Sequence, residues 1–220
     1  MKDSEQVGMT SKEKSRNDDN RSASKKAFLY ESIMGKNKTK ILERRTAWEG
    51  KFLRCIITTY VDSQGVIREW ESFERVNCKG IVGIVPVTEE KEVLLIRQFR
   101  PPVKGYVIEF PAGLSEKENN LEEAARRELL EETGYAAKNM IFLSEGPLSS
   151  GASGEVLTAF LATGLEFQEL GKQDETEDIE VLKIPIRELD QKLSALRSEG
   201  DLIDLKIYGL LELAKKHLTL

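Results

Sequence analysis

The sequence predicts an α+β fold, and three observations carry that expectation. The middle of the chain is rich in strand patterns separated by turn residues. One central helical segment interrupts them, and two amphipathic helical segments close the sequence. "FLRCIITTYVDSQGVIREWESFERV" reads as two strands, 51–61 and 66–76, turning through "DSQG". "GIVGIVPV" and "EVLLIRQFR" read as a second strand pair with "TEEK" as its turn, and "YVIEFPAG" as a short strand broken by Pro111 and Gly113. The central helix is expected over 119–132, with Asn119 or Asn120 as N-cap and Gly134 as a left-handed stop. Strands follow near 140–146, 155–163 and 179–186, then helices over 186–199 and 201–217. There are no internal repeats. Residues 1–26 are polar and mixed in charge, so they cannot bury enough surface to offset their ordering entropy and are expected to be disordered.

The 220 residues suit one domain, or one domain with a small appendage. With 40% hydrophobic residues the chain can build a core, and with 32% charged residues and a net charge of -5 it shows no nucleic-acid footprint. Cys55 and Cys78 have no metal-ligand spacing and read as reduced thiols. No apolar run approaches the roughly 20 residues of a membrane span, and no apolar signal core opens the sequence. A cytoplasmic location without membrane partners is expected. His217, the single histidine, falls near the end of the last helix, where the helix dipole favours a cation. Ser-His-Asp chemistry has no support.

The chemistry concentrates in "RRELLEETGY", residues 126–135. At about 100° per residue, Glu128, Glu131 and Glu132 fall within one third of a helix circumference. Like charges so spaced destabilise a helix by a few tenths of a kcal/mol per pair. A bound hard cation would offset that repulsion, and Mg²⁺ takes one or two carboxylates together with substrate phosphates and water. A solvated helix face with its own arginines is the bland alternative. Counting back, Gly113 precedes Arg127 by 14 residues and follows a strand and Pro-Ala.

The frame G-x13-R-E-L-L-E-E-T-G-Y resembles the Nudix box, G-x5-E-x7-R-E-U-x-E-E-x-G-U with U apolar. The first glutamate of that box falls on Asn119, where the family uses it to brace the helix against the box arginine. "GKFLR", "REWESFERV", "LLIRQFRPPVKGYVIEFPAGL" and "ETEDIEV" are similar to segments of the ADP-sugar pyrophosphatase branch, and the likeness runs over 41–215. It implies a Nudix α/β/α sandwich over 79–220 and, over 27–78, a small antiparallel strand subdomain exchanged across a homodimer. It also implies hydrolysis of a nucleoside diphosphate sugar, ADP-ribose first, to AMP and ribose 5-phosphate. Two or three Mg²⁺ ions would be needed, with Mn²⁺ as a substitute.

Position by position, the resemblance makes Glu128 and Glu132 the main metal ligands, with the Ala112 carbonyl beside them and Glu131 reaching metal through water. Arg127 would hold the glutamates in register. Glu175 would deprotonate or orient the attacking water and Glu177 would hold a further metal, their order being interchangeable. Phe52 and Trp70 would stack on adenine from opposite subunits, and Glu71 would accept from its amino group. Arg75 and Arg100 would contact phosphate or the terminal ribose, and Leu114 would line the pocket. Arg97, nearer the strand interior, is not assigned to phosphate. In the stretch "LSSGASGEV", Ser149 is expected at the substrate and Ser150 replaces a proline common among ADP-ribose enzymes, which bears on the sugar. A GDP-sugar substrate, or a catalytically silent module binding a nucleotide sugar, are the alternatives.

Overall fold

A computed structural model of the chain describes residues 39–115, 120–168 and 178–218. The polar segment 1–26, Asn119, Glu175 and Glu177 lie outside the described residues. The described residues divide into two compact units, one comprising 39–50 with Arg54–Phe73, the other Lys51–Leu53 with the described residues from Glu74 on. The fold is α+β.

The first unit holds a three-stranded sheet in the order β1 (Lys40–Glu49), β2 (Leu53–Val61), β3 (Ile67–Arg75), of which the strand ends Leu53, Glu74 and Arg75 are counted with the second unit. Strand β1 was not expected from the sequence, because the charges of Lys40, Glu43, Arg44 and Arg45 mask the two-residue period. It pairs antiparallel with β2 from Lys40↔Val61 to Glu49↔Arg54, with two register shifts. Asp62 sets the turn into β3. Its carboxylate accepts from the backbone N–H of Gln64 at 2.8 Å and of Val66 at 2.9 Å, and from Arg68 Nε at 3.0 Å. The Val66 hydrogen bond, then Arg68, hold this carboxyl below its usual range.

The second unit holds two four-stranded sheets. One runs β7 (Ala112–Ser115), β4 (Gly80–Pro86), β9 (Val156–Phe167), β8 (Tyr135–Pro147). The other runs β10 (Ile179–Pro185), β5 (Glu92–Arg100), β6 (Gly105–Glu109), β11 (Leu202–Ile203). The expected pairing of the β4 and β5 segments is therefore corrected. They belong to different sheets, and an isolated bridge between Val87 and Val93 marks the turn between them. The physical reason lies in their composition. Val82, Ile84 and Val85 of β4 and Val93, Leu94, Leu95 and Ile96 of β5 are all fully buried, as central strands covered on both faces require. Strand β4 instead lies parallel to β9 and antiparallel to β7.

Helix α1 (Leu121–Thr133) starts at Asn120, whose side chain accepts from the Glu123 N–H at 2.9 Å. Its inner face, Ala124, Ala125 and Leu129, packs on Val82, Ile84, Phe160 and Ala162. The alternate residues Val85 and Leu161 face the other way, into a second core with Leu95, Ile108 and Ile184. That core is closed by Leu193 of α2 (Leu189–Ser198) and by Ile207 and Leu211 of α3 (Lys206–Lys215). Both closing helices begin later than the sequence suggested. A single-turn 3₁₀ segment, Ile186–Glu188, precedes α2, and the two-residue strand β11 occupies the chain before α3.

Helix α1 ends at Gly134 with φ 76°, its N–H donating to the Leu130 carbonyl at 2.9 Å. A Cβ in that left-handed conformation costs about 1–2 kcal/mol. Gly134→Ala is expected to lower stability by about 1 kcal/mol in chemical denaturation with an unchanged m-value. No loss would show that the turn relaxes freely.

Candidate active site

Helix α1 crosses the edge strand β7 with its carboxylates against the strand backbone. Glu132 is 3% exposed, and its Oε2 accepts from the Ala112 N–H at 3.0 Å. A buried carboxylate is tolerated because a charge-assisted hydrogen bond satisfies it. Glu128 lies over Gly113 so closely that a Cβ there would fall 1.9 Å from its Cδ and Oε1 and 2.4 Å from its Oε2. Only glycine allows this approach. Arg127 ties the arrangement together. One Nη donates to the Leu114 carbonyl at 2.9 Å and sits 2.9 Å from Glu128 Oε1, and the other donates to Glu131 Oε2 at 2.7 Å. Arg126, on the next face, reaches the Ala137 carbonyl at 2.7 Å and Glu122, pinning α1 to β8.

Part of this arrangement lines a cleft of about 1010 Å³ within the second unit, from whose lining Glu132 is absent. Ala112, Gly113, Leu114, Arg127, Glu128 and Glu131 line it, together with Arg75, Arg100, Glu109 and Lys206. Its apolar surface comes from Pro101, Pro102, Val103, Leu148, Leu157 and Leu210. Each cation outside α1 is held by a carboxylate. Arg75 Nε is 2.8 Å from Glu155 Oε1, Arg100 Nε donates to Glu109 Oε1 at 2.7 Å, and Lys206 pairs with Asp204. Carboxylates and cations therefore line one space in pairs.

The remaining sequence-assigned residues lie elsewhere. Ser149 is exposed beside the cleft residue Leu148, and its carbonyl accepts from the Ala152 and Ser153 N–H groups. Phe52 is 67% exposed, with the Lys51 ammonium 4.9 Å from its ring centroid. Trp70 is 50% exposed on β3 of the first unit, where Glu71 is also exposed. Arg97 is committed to structure. It makes a two-pronged contact to Asp201 at 2.9 and 3.0 Å and stacks over Tyr106. The Asp201 hydrogen bond raises its already high pKa further. Glu109 and Lys206 were missed by sequence reasoning. Glu109 is brought to Arg100 by the β5–β6 hairpin, and Lys206 lies more than a hundred residues away in sequence, so neither carries a local signal.

A NUDIX domain model matches residues 79–204. The chain belongs to the Nudix family. It is 35% identical over 184 residues to an ADP-sugar pyrophosphatase of Mus musculus, covering 77% of this chain and 84% of that protein. It is 35% identical over 152 residues to an ADP-ribose pyrophosphatase of Bacillus subtilis (strain 168), covering 68% and 82%. A solved structure titled as an ADP compounds hydrolase matches the fold with a TM-score of 0.66 at 22% identity, covering 82% of this chain and 94% of the other.

The Nudix helix offers an oxygen-only donor set for a hard cation. Glu128 and Glu132 are separated by one helical turn, and the glycine at 113 brings the strand backbone up to Glu128. Among the described residues no three acidic, histidine or cysteine side chains form a group that could hold a metal ion by themselves. Two carboxylates are enough for Mg²⁺, which keeps several waters and takes substrate phosphates for the rest of its shell. Gly113→Ala would have to displace Glu128 or the strand. A misplacement of about 1 Å can cost a site about 100-fold, so kcat/KM for a nucleoside diphosphate substrate is expected to fall by about that factor. Steady-state kinetics with a parallel melting curve check it, and wild-type turnover in the variant would show that the close seat is dispensable.

Proposed function

We propose that the protein hydrolyses the diphosphate bond of an ADP-sugar, with ADP-ribose the preferred substrate and AMP and ribose 5-phosphate the products. The observation that carries this reading is that Glu128 and Glu131 of α1 line a single cleft together with Arg75 and Arg100. Relatives named for ADP-sugar and ADP-ribose hydrolysis, at 35% identity and over most of their length, support the substrate class.

In the reaction, the oxygen of water bonds to one phosphorus and the bridging P–O bond breaks. The bridging oxygen leaves on the other phosphate, and the water's proton passes to a base. Glu128, Glu132 and the Ala112 carbonyl would hold Mg²⁺, with Glu131 reaching it through water. The bound cation neutralises the diphosphate and lowers the pKa of water. Arg127 keeps Glu128, Glu131 and the Leu114 carbonyl in fixed relation, so little reorganisation accompanies the reaction. The guanidinium groups of Arg75 and Arg100 match phosphate oxygens in a forked geometry. We assign Glu175 to orienting water and Glu177 to a further cation.

Adenine would stack between Trp70 and Phe52 of opposite subunits of a homodimer, with Glu71 accepting from the amino group. The exposure of Ile41, Leu42, Trp48, Ile67 and Trp70 on a three-stranded sheet supports this, since so much apolar surface on so thin a unit calls for a partner.

With Mg²⁺, ADP-ribose is expected to yield AMP and ribose 5-phosphate, and EDTA to stop the reaction. Glu128→Gln should lower kcat by about 100-fold or more without unfolding the protein. Preference for a GDP-sugar would leave the metal helix in place and remove the adenine assignment. A ligand that stabilises but is never cleaved would make this a binding module. Trp70→Ala is expected to raise KM for ADP-ribose by about tenfold, corresponding to a stacking loss of about 1–3 kcal/mol. Unchanged KM would place the base elsewhere.

A further inference from the structure

Lys206 is a cleft cation that neither the metal helix nor the fold accounts for. Its position follows from the register of the second sheet. Strand β11 lies parallel to β6, with Leu202 opposite Val107 and Ile203 opposite Ile108, and Asp204 N–H continues the ladder to the Ile108 carbonyl at 2.9 Å. The first residue of α3 thereby lines the same cleft as Glu109, the next residue of β6, which holds Arg100.

The lysine side chain is not needed to start that helix. Asp204 Oδ1 already accepts from the Lys206 backbone N–H at 2.9 Å, which any residue at 206 would supply. A cation at a helix N-terminus opposes the macrodipole, and no acidic residue stands in the first turn of α3. The ion pair with Asp204 offsets this and holds the ammonium at the cleft while leaving the side chain 42% exposed. Lys206 also lines a second cavity of about 410 Å³, which shares Leu148, Leu157 and Leu210 with the main cleft. It therefore stands where the cleft continues past α1, with Asp204, Ser144 and Glu145 as polar groups beyond it.

We propose that Lys206 is a specificity-determining residue that contacts the phosphate of the sugar-phosphate half of the substrate, the half that extends into the second cavity. This rests on the diphosphate cleavage proposed above. The sugar-side phosphate is one of the two phosphates of the diphosphate, so while the other is drawn to the cation held on α1, a cation on a different element faces the sugar-side phosphate where that half leaves the cleft. An ammonium paired to a half-buried carboxylate suits a phosphate ester next to hydroxyl groups, the phosphate meeting Lys206 and the hydroxyls the carboxylates behind it.

Wild type, Lys206→Ala and Lys206→Arg are to be compared in Mg²⁺-dependent ADP-ribose hydrolysis and in calorimetric titrations with ribose 5-phosphate and with AMP. Loss of one hydrogen bond to a charged group should raise KM by about tenfold in Lys206→Ala, with kcat kept within about threefold. Ribose 5-phosphate binding should weaken in step while AMP binding stays unchanged, and Lys206→Arg should recover most of the loss. Wild-type KM and ribose 5-phosphate affinity in Lys206→Ala would overturn the proposal, as would absence of ribose 5-phosphate binding to wild type. A parallel loss of AMP binding and melting temperature would also overturn it, by showing a structural role. If ribose 5-phosphate binds in a Lys206-dependent way but ADP-ribose is not cleaved, the proposed reaction falls and this inference stands.

Discussion

The seat of the Glu128 carboxylate on the Cα of Gly113 is the contact from which the rest of the cleft is laid out. It sets the distance between α1 and β7, and so decides how near a helix carboxylate and a strand carbonyl can come to one shared ligand. Glu132 locks the same interface from one turn further along, by taking the Ala112 N–H. Arg127 closes it from the other side through Leu114. The like-charge repulsion that "RELLEE" would impose on an isolated helix is relieved by tertiary partners, and the helix reaches those partners only because Ala124, Ala125 and Leu129 anchor its opposite face. Catalytic geometry and core packing are two sides of one helix.

The charges of the cleft come in held pairs: Arg75 with Glu155, Arg100 with Glu109, Lys206 with Asp204, Arg127 with Glu128 and Glu131. Partly exposed ion pairs contribute little to stability, a median of about 0–1 kcal/mol. Their value here is positional. A guanidinium or ammonium already fixed by a carboxylate loses less freedom when a phosphate arrives, so binding energy is not spent on ordering side chains. Arg97 shows the contrast. Held along one edge by Asp201 and stacked on Tyr106, it serves the sheet.

The helix was legible in the sequence because everything that defines it is local: the Asn120 cap, the Gly134 stop and the glutamates at one-turn spacing. The same holds for the hairpin around Asp62, where an Asx turn is written into four residues. What was not legible depends on pairing over distance. Two apolar runs joined by "TEEK" look like a hairpin, yet full burial of both sends them to different sheets, and no short-range pattern records which partner strand each will find. Strand β11 is two residues long and gains its identity only from β6. Glu109 and Lys206 became visible only when β5, β6 and β11 were set side by side. The acidic stretch "DETEDIEV" illustrates the other limit, because Glu175 and Glu177 lie outside the described residues and their placement rests on resemblance.

On the proposed reaction, the Gly113–Glu128 seat builds half of a cation site which the substrate's diphosphate completes. Calorimetric titration of Mg²⁺ into the protein, with and without the non-hydrolysable α,β-methylene analogue of ADP-ribose, tests it most directly. Markedly tighter Mg²⁺ binding in the presence of the analogue is predicted, with that gain lost in Glu128→Gln. Mg²⁺ binding that is equally tight without the analogue, or a gain that survives in Glu128→Gln, would contradict it.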